Sequence, residues 1–472
     1  MKKYVVVLLG MVLLLGGCEK KSPQEINSSG SQELKIWTAD NKDFFEALGR
    51  EFSSALEQPI EIQVTVFESD AFLQKSLLHA LAENKGPDIV FTDHDWLFHN
   101  RSKLIPLSND EALSAEKYRQ IFIEPAQNVF VQDGNIWGVP LSLEMLALFS
   151  NETALVEKVD REGEPPQTWE EFQSVVSALS QSDNSLDRFA FSGAALGRMD
   201  NVFWSGEVFE NLLLQMTERI FSPDGKTVAL ADQTGVTADG KKVNFALSAL
   251  RFFVSFARSS HSNFSWNELL AGAESEHKNF ETFVRGETAM VFGKTDDYFR
   301  LRDLIRAYSS QEKASISEAE IRISPFPQFE SDENKKKILA WMHALGVVRS
   351  SPRSDLAWQF LKFATSRENL LGFANTTLVL PAHRELILEM QGDPVFGPFA
   401  RQAALVVVPL YPVPRSNLYT LFSESISRFH EKNQGIEEVL EFLQSSLEEE
   451  LSQQRRLNTI LSPASPGKYI FV

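Results

Sequence analysis

The strongest constraint on the fold lies between residues 34 and 91, where the period of the apolar pattern changes repeatedly. Leu34-Lys-Ile-Trp37 alternates as a short strand, Phe44 to Leu56 carries apolar residues at helical spacing, and Ile60 to Phe67 alternates strictly. Ala71 to Ala82 predicts a second helix, stopped by the Gly86-Pro87 turn signal, and Asp88-Ile-Val-Phe91 predicts a buried strand. Strands separated by helices cannot close as tight hairpins. The helix returns the chain to the starting edge, so the strands pair in parallel and an α/β fold follows. Ligands of such sheets sit beyond the carboxyl ends of the strands. Here that place is Thr92-Asp93-His94-Asp95-Trp96, inside PDIVFTDHDWLFHN.

Further along, Gly134 to Pro140 reads as a turn followed by an apolar segment, Leu141 to Phe149. Thr168 is placed as a helix N-cap with Glu171 completing a capping box. Helices are expected over 208–216, 245–257, 279–285, 355–365 and 435–451, the last acidic and amphipathic. Residues 287–292 predict a strand that exits into Gly293-Lys-Thr-Asp-Asp297. Residues 338–348 predict one long strand or a strand pair carrying Trp341. The 472 residues exceed what one core usually serves, so two domains are expected.

The first residues bear on location. Met1-Lys2-Lys3 is a short positive region and Tyr4 to Leu15 an apolar run, below the roughly 20 residues a membrane span needs. The run suits a secretory signal over 1–17. Cys18 is the sole cysteine, which rules out an internal disulfide, and LLGGC resembles a bacterial lipobox in which Cys18 takes the lipid. Residues 18–32 are almost wholly polar and read as a flexible tether. The formal net charge is −18, which argues against nucleic acid or anionic lipid as partners. The expected contact with a membrane is therefore the lipid anchor alone, on the extracytoplasmic side.

Several segments together resemble the family 1 extracellular solute-binding proteins, the receptors of ABC importers typified by maltose-binding proteins. They are GPDIVF, GNIWGVPLSLEMLALFSN, PQTWEEF, FVRGETAMVFG, ALGVVRSSPRSDLAWQFLKFATSRE, LPAHREL and GIEEVLEFLQSSLEEEL. They occur in the family's order over most of residues 33–455. The resemblance implies a periplasmic-binding-protein-like fold of type II, with two α/β lobes that close on a solute and are joined by several hinge crossings. Lobe one is assigned 33–141 and 288–350, lobe two 142–287 and 351–472. It implies a monomer that delivers a carbohydrate, an oligosaccharide first among them, to ABC permease subunits. No cofactor, metal or catalysis is implied.

Candidate binding residues combine this resemblance with side-chain chemistry. Carboxylates accept hydroxyl hydrogen bonds and tryptophans stack on sugar faces. His94-Asp95 matches a pair that grips sugar in the maltose branch, and Asp93 and Trp96 flank it; either aspartate could instead cap the helix that follows. Glu144 also aligns with a sugar-binding glutamate, and is otherwise a buried, satisfied hinge residue. In lobe two Arg198, Asn201 and Trp204 could face the cleft. At the exit of 287–292, Lys294 and Asp296 stand near where maltose binders carry a stacking tryptophan. Trp341 either stacks on ligand or packs in the sheet, and Asp40 and Arg415 are further candidates. Two departures from the family pattern fall near the cleft: Phe149-Ser150-Asn151 in place of a tyrosine-asparagine pair, and Met342-His343 in place of two glycines.

Other chemistries fit less well. His94 and His99 are five apart, not the four that aligns two metal ligands on one helix face. A glycosidase needs opposed carboxyls, and Asp95 with Glu144 is the sole pair to nominate. The GKT triplets at Gly225 and Gly293 lack the glycine five positions earlier that a phosphate-cradling loop requires. Alternatives within binding are a polyamine, a metal chelate or another small polar solute, and a sensing role in place of transport.

Overall fold

A computed structural model describes residues 32–461 except 109, 160–161, 184–187, 237–239, 272–274 and 330–335. The expected leader, Cys18 and nearly all of the tether lie outside the described residues. The opening pattern folds as its periodicity requires. Strand β1 (Gln32–Thr38) is followed by helix α1 (Lys42–Ala55), β2 (Ile60–Val66), α2 (Asp70–Ala82), β3 (Ile89–Asp93) and the short helix α3 (His94–His99). The three strands are parallel, in the order β2-β1-β3. Helix α1 buries Phe45, Leu48, Gly49 and Phe52 against the sheet, the spacing of a single helical face. Gly49 is required there, because a Cβ would lie 2.3 Å from the Ile62 side chain.

The sheet is completed by two antiparallel strands, His343–Val347 beside β3 and Val139–Pro140 beyond it. A second sheet has Ala147–Asn151 at its centre, flanked antiparallel by Met290–Gly293 and Ile321–Pro325. Its core gathers around the fully buried Trp169, which meets Phe172, Phe252 and Phe326 edge-on at 5.3 Å each. Thr168 caps that helix as expected, its Oγ1 accepting from Glu171 N at 3.2 Å.

Between the two sheets the chain crosses on Ser142–Met145 and returns on Ile338–Trp341. These segments pair antiparallel, with Trp341 opposite Glu144. Leu380–Pro381 and Val406–Val407 flank them to make a four-stranded sheet. Single residues separate the crossings from the lobe strands: Leu141 and Leu146 on the way out, Met342 on the return. The fold is mixed α/β, with two lobes joined through these crossings.

Strand pairing divides the chain differently from the expected boundaries. The expected first lobe includes 288–350, but Met290–Gly293 and Ile321–Pro325 satisfy both edges of Ala147–Asn151 in the other sheet. Only His343–Val347 joins the first. Helices Ser354–Ala364 and Arg367–Thr377, grouped with the second lobe, pack on α1 through Phe52–Phe360 and Phe44–Phe373 at 5.3 and 5.0 Å. The apolar pattern marks strands and helices but says nothing of which sheet they join. The closing helix, expected to stop at 451, runs Ile436–Leu461, with no glycine or proline in that stretch to end it sooner.

Candidate functional site

The strand exits and the crossing segments converge. Beyond β1, Thr38 Oγ1 donates to Asp40 O at 2.6 Å and accepts from Asp40 N at 3.1 Å, fixing a turn that presents Asp40 to solvent. Asn41 takes a left-handed conformation (φ 66°) to start α1. Asp70 opens α2, His343 begins its strand directly after the crossing, and Glu144 lies on the outgoing crossing strand. Asp296 stands in the first turn of Thr295–Ser310, just past Met290–Gly293 of the other sheet. Asp40, Asp70, Glu144, His343 and Asp296, with Ser142 and Phe373, line one cavity of about 250 Å³. Groups from both lobes therefore share a crevice.

His343 is held between two carboxylates, its Nδ1 2.8 Å from Glu144 Oε1 and its Nε2 3.1 Å from Asp70 Oδ2. Burial opposes its charge, but Glu144 and Asp70 outweigh it and raise the imidazole well above its ordinary range. Lys294 Nζ comes from the other lobe to within 3.3 Å of Glu144 Oε2. The same ammonium sits 4.1 Å from the Trp204 ring centroid and 5.2 Å from that of Trp341. Burial would push Glu144 up, yet Lys294 and His343 together hold it far below the usual carboxylate range.

Asp296 and Asp297 lack such full compensation. Burial, then Glu144, raises Asp296; burial, then Asp296, lifts Asp297 to about 7. Asp297 accepts from Trp204 Nε1 at 2.6 Å and from Lys294 N at 2.8 Å, so it locks the exit loop and the tryptophan together. Arg415 is buried beside them, with its guanidinium carbon 4.5 Å from the Trp341 ring and a nitrogen 3.6 Å from Glu210. Glu210 also accepts from Tyr411 and Tyr419 at 2.6 and 2.8 Å.

Asp40, Glu144 and Asp296 thus line the cavity; Lys294 meets it through Glu144, whereas Trp204 and Trp341 lie against Lys294, Arg415 lies against Trp341, and none of these four lines it. Asp95 is close but spent differently: its Oδ1 lies 3.5 Å from His99 Nε2 and its carboxylate does not line the cavity. Burial opposes its ionisation, but the neighbouring His99 and the Arg415 charge hold it at about 2.

Four expected contacts have other roles. Asp93 is the N-cap of α3, accepting from Trp96 N at 2.8 Å and from Gln74 Nε2 through its second oxygen. Trp96 is 8 % exposed and packs in the core, because it falls on the buried face of α3. Arg198 is paired with Asp200 and Glu268 at 2.9 and 3.1 Å. Asn201 is fully buried, donating to Asn267 O and Ala271 O and accepting from Trp266 Nε1. None of the four lines the cavity.

Asp70 and His343 are cavity residues that the sequence chemistry does not nominate: His343 carries one signal, the Met342-His343 departure from the two glycines of the family pattern, and Asp70 reads as an ordinary first-turn acid. A larger cavity of about 970 Å³ lies elsewhere, lined by Ile123, Phe221, Leu388 and Val406 to Tyr411 among others. It contains none of the residues that converge from the strand exits, so size alone does not make it the site. Among the described residues no group of three His, Cys, Asp or Glu is placed to hold a metal. No helix there is long and apolar enough to cross a membrane. Carboxylates bracketing an imidazole suit hydrogen bonding to a polar solute.

Three solved structures illustrate the likeness in fold. The sugar-binding protein MalE of Xanthomonas citri superposes with a TM-score of 0.70 at 16% identity, covering 90% of this chain and 99% of that one. The cyclic α-maltosyl-1,6-maltose binding protein of Arthrobacter globiformis gives 0.68 at 14% identity, over 90% and 100%. An ABC transporter solute-binding protein of Thermotoga lettingae bound to α-D-tagatose gives 0.64 at 16%, over 89% and 100%. At the level of sequence, residues 47–393 match the family model described as bacterial extracellular solute-binding protein. That match spans well over half of the chain, which therefore belongs to the bacterial extracellular solute-binding proteins, a family of receptors and not of enzymes.

Proposed function

We propose that this protein is a lipid-anchored receptor that captures a short saccharide between its lobes and hands it to an ABC permease. The observation that carries the reading is the shared cavity, where Asp40, Asp70 and His343 of one lobe face Asp296 of the other across Glu144. Carboxylates and an imidazole supply acceptors and donors for hydroxyls. The cavity's volume, about 250 Å³, falls just under the roughly 300–1,000 Å³ common for small-molecule sites, which favours a short chain of sugar units. The similar folds described with tagatose and with maltose-type glycans support a carbohydrate. Closure would shift an existing open–closed equilibrium by the solute's extra affinity for the closed form.

Titration of purified protein with mono- and disaccharides, followed by tryptophan fluorescence, tests the site. Saturable change that is lost in Glu144→Ala supports it; no response to any glycan removes the sugar reading. The anchor is tested separately. Cys18→Ser should release the protein from membranes, and retention of the variant would discard the lipid.

A further inference from the structure

The cavity is richer in acid than neutral sugar requires. Asp40, Asp70, Glu144 and Asp296 line it. His343 sits between Glu144 and Asp70, and Lys294 takes the second oxygen of Glu144. Those two cations are thereby engaged by Glu144 and Asp70. Among the described residues Asp296 pairs with Arg300 at 4.0 Å, a guanidinium that lies closer to Asp297, at 2.8 Å; the Lys294 charge also acts on Asp296, but its ammonium is taken by Glu144. Asp40 makes no ion pair among the described residues, and its one side-chain hydrogen bond is to Asn41 N. Asp40, with no ion pair among the described residues, and Asp296, with a long and shared one, therefore stand on opposite lobes and line one cavity.

The molecule already shows how an ammonium is received here. Lys294 places its Nζ against Glu144 and over the faces of Trp204 and Trp341, a carboxylate-plus-aromatic setting that suits cations. Its own amine, however, arrives from the Asp296 side and neutralises Glu144, leaving Asp40 and Asp296 for a charge that comes with the solute. From this geometry we infer that the solute carries a protonated amine, held between Asp40 of one lobe and Asp296 of the other. Such a bridge joins the lobes only when the cleft is shut, so the charge favours closure as well as binding. An anionic sugar meets repulsion, and a neutral one leaves both carboxylates unmatched.

The inference rests on the saccharide reading, but the shared chemistry is the amine, which an amino sugar or an aliphatic polyamine could supply. Calorimetric titration of the intact protein near neutral pH, with four probes, separates these. They are the β-1,4-linked glucosamine disaccharide, its N-acetylated counterpart, maltose and spermidine. The expected result is that the glucosamine disaccharide binds at least about tenfold tighter than its N-acetylated form, an advantage that shrinks with added salt. Asp296→Asn and Asp40→Asn should each remove most of that advantage, so that in either variant the two disaccharides bind within about twofold of each other. Equal or tighter binding of the neutral sugars overturns the amine and leaves the saccharide reading intact. Binding of spermidine alone overturns the saccharide and keeps the amine. Silence with all four probes overturns both.

Discussion

Lys294 Nζ lies 3.3 Å from Glu144 Oε2, joining the exit loop of one lobe to the strand that crosses between them. Both side chains are mostly shielded from water, 10 and 15 % exposed. Removing Lys294 leaves Glu144 with His343 as its remaining cation, and losing one partner of a buried pair costs more than the pair contributes. Lys294→Met should therefore lower unfolding free energy by about 3 kcal/mol. Combining it with Glu144→Gln should recover part of the loss. Urea denaturation of the two single variants and the double variant checks this, and additive losses would show the two groups to be uncoupled.

His343 gives the protein an alkaline dependence. Its folded-state pKa stands well above 6.5 because Glu144 and Asp70 overcome the effect of burial. The charged imidazole therefore adds stability that is complete below pH 6.5 and is lost as pH rises through the folded value. Urea midpoints measured at about pH 6 and about pH 9 should fall more for the native protein than for His343→Gln, whose side chain cannot charge. Parallel behaviour of the two would remove His343 as the source.

Gly293 ends its strand against Phe149. A Cβ there would lie 2.9 Å from the Phe149 ring and 3.2 Å from Asp297 Cβ. Gly293→Ala should cost about 1–3 kcal/mol and weaken solute binding, since the same crowding displaces Lys294 and Asp297. Thermal unfolding together with a fluorescence titration tests both parts.

How much of this was legible follows from what each residue answers to. The alternation over Leu34 to Trp37 and the helical spacing from Phe44 depend on local burial, so β1 and α1 appear where the pattern puts them. Asp40 and Asp296 could be nominated because they follow strands, whose exits line clefts, and Glu144 because it aligns with a glutamate of the resembled family. Asp93 and Asp95 could not be told apart, since either oxygen can reach a free N–H at the start of a helix; the backbone chose Asp93. Asn201 looks available in the sequence because its partners, Asn267 and Ala271, lie some 70 residues away. Asp70 and His343 meet only across a separation of 273 residues, beyond any local pattern.

The structural role of Asn201 makes a contrasting prediction. Asn201→Ala would strand the Trp266 indole N–H and two backbone carbonyls in the interior, costing about 2–3 kcal/mol. Solute affinity, measured well below the unfolding temperature, should stay within about twofold, because the side chain does not reach the cavity.

The most direct measurement is a crystal structure of the protein with the saccharide that gives the largest fluorescence response. Density for the sugar touching Asp40, Glu144 and Asp296, with the lobes closed over it, is the expected result. Density seated instead along Val406 to Tyr411 in the larger groove would contradict the placement of the site.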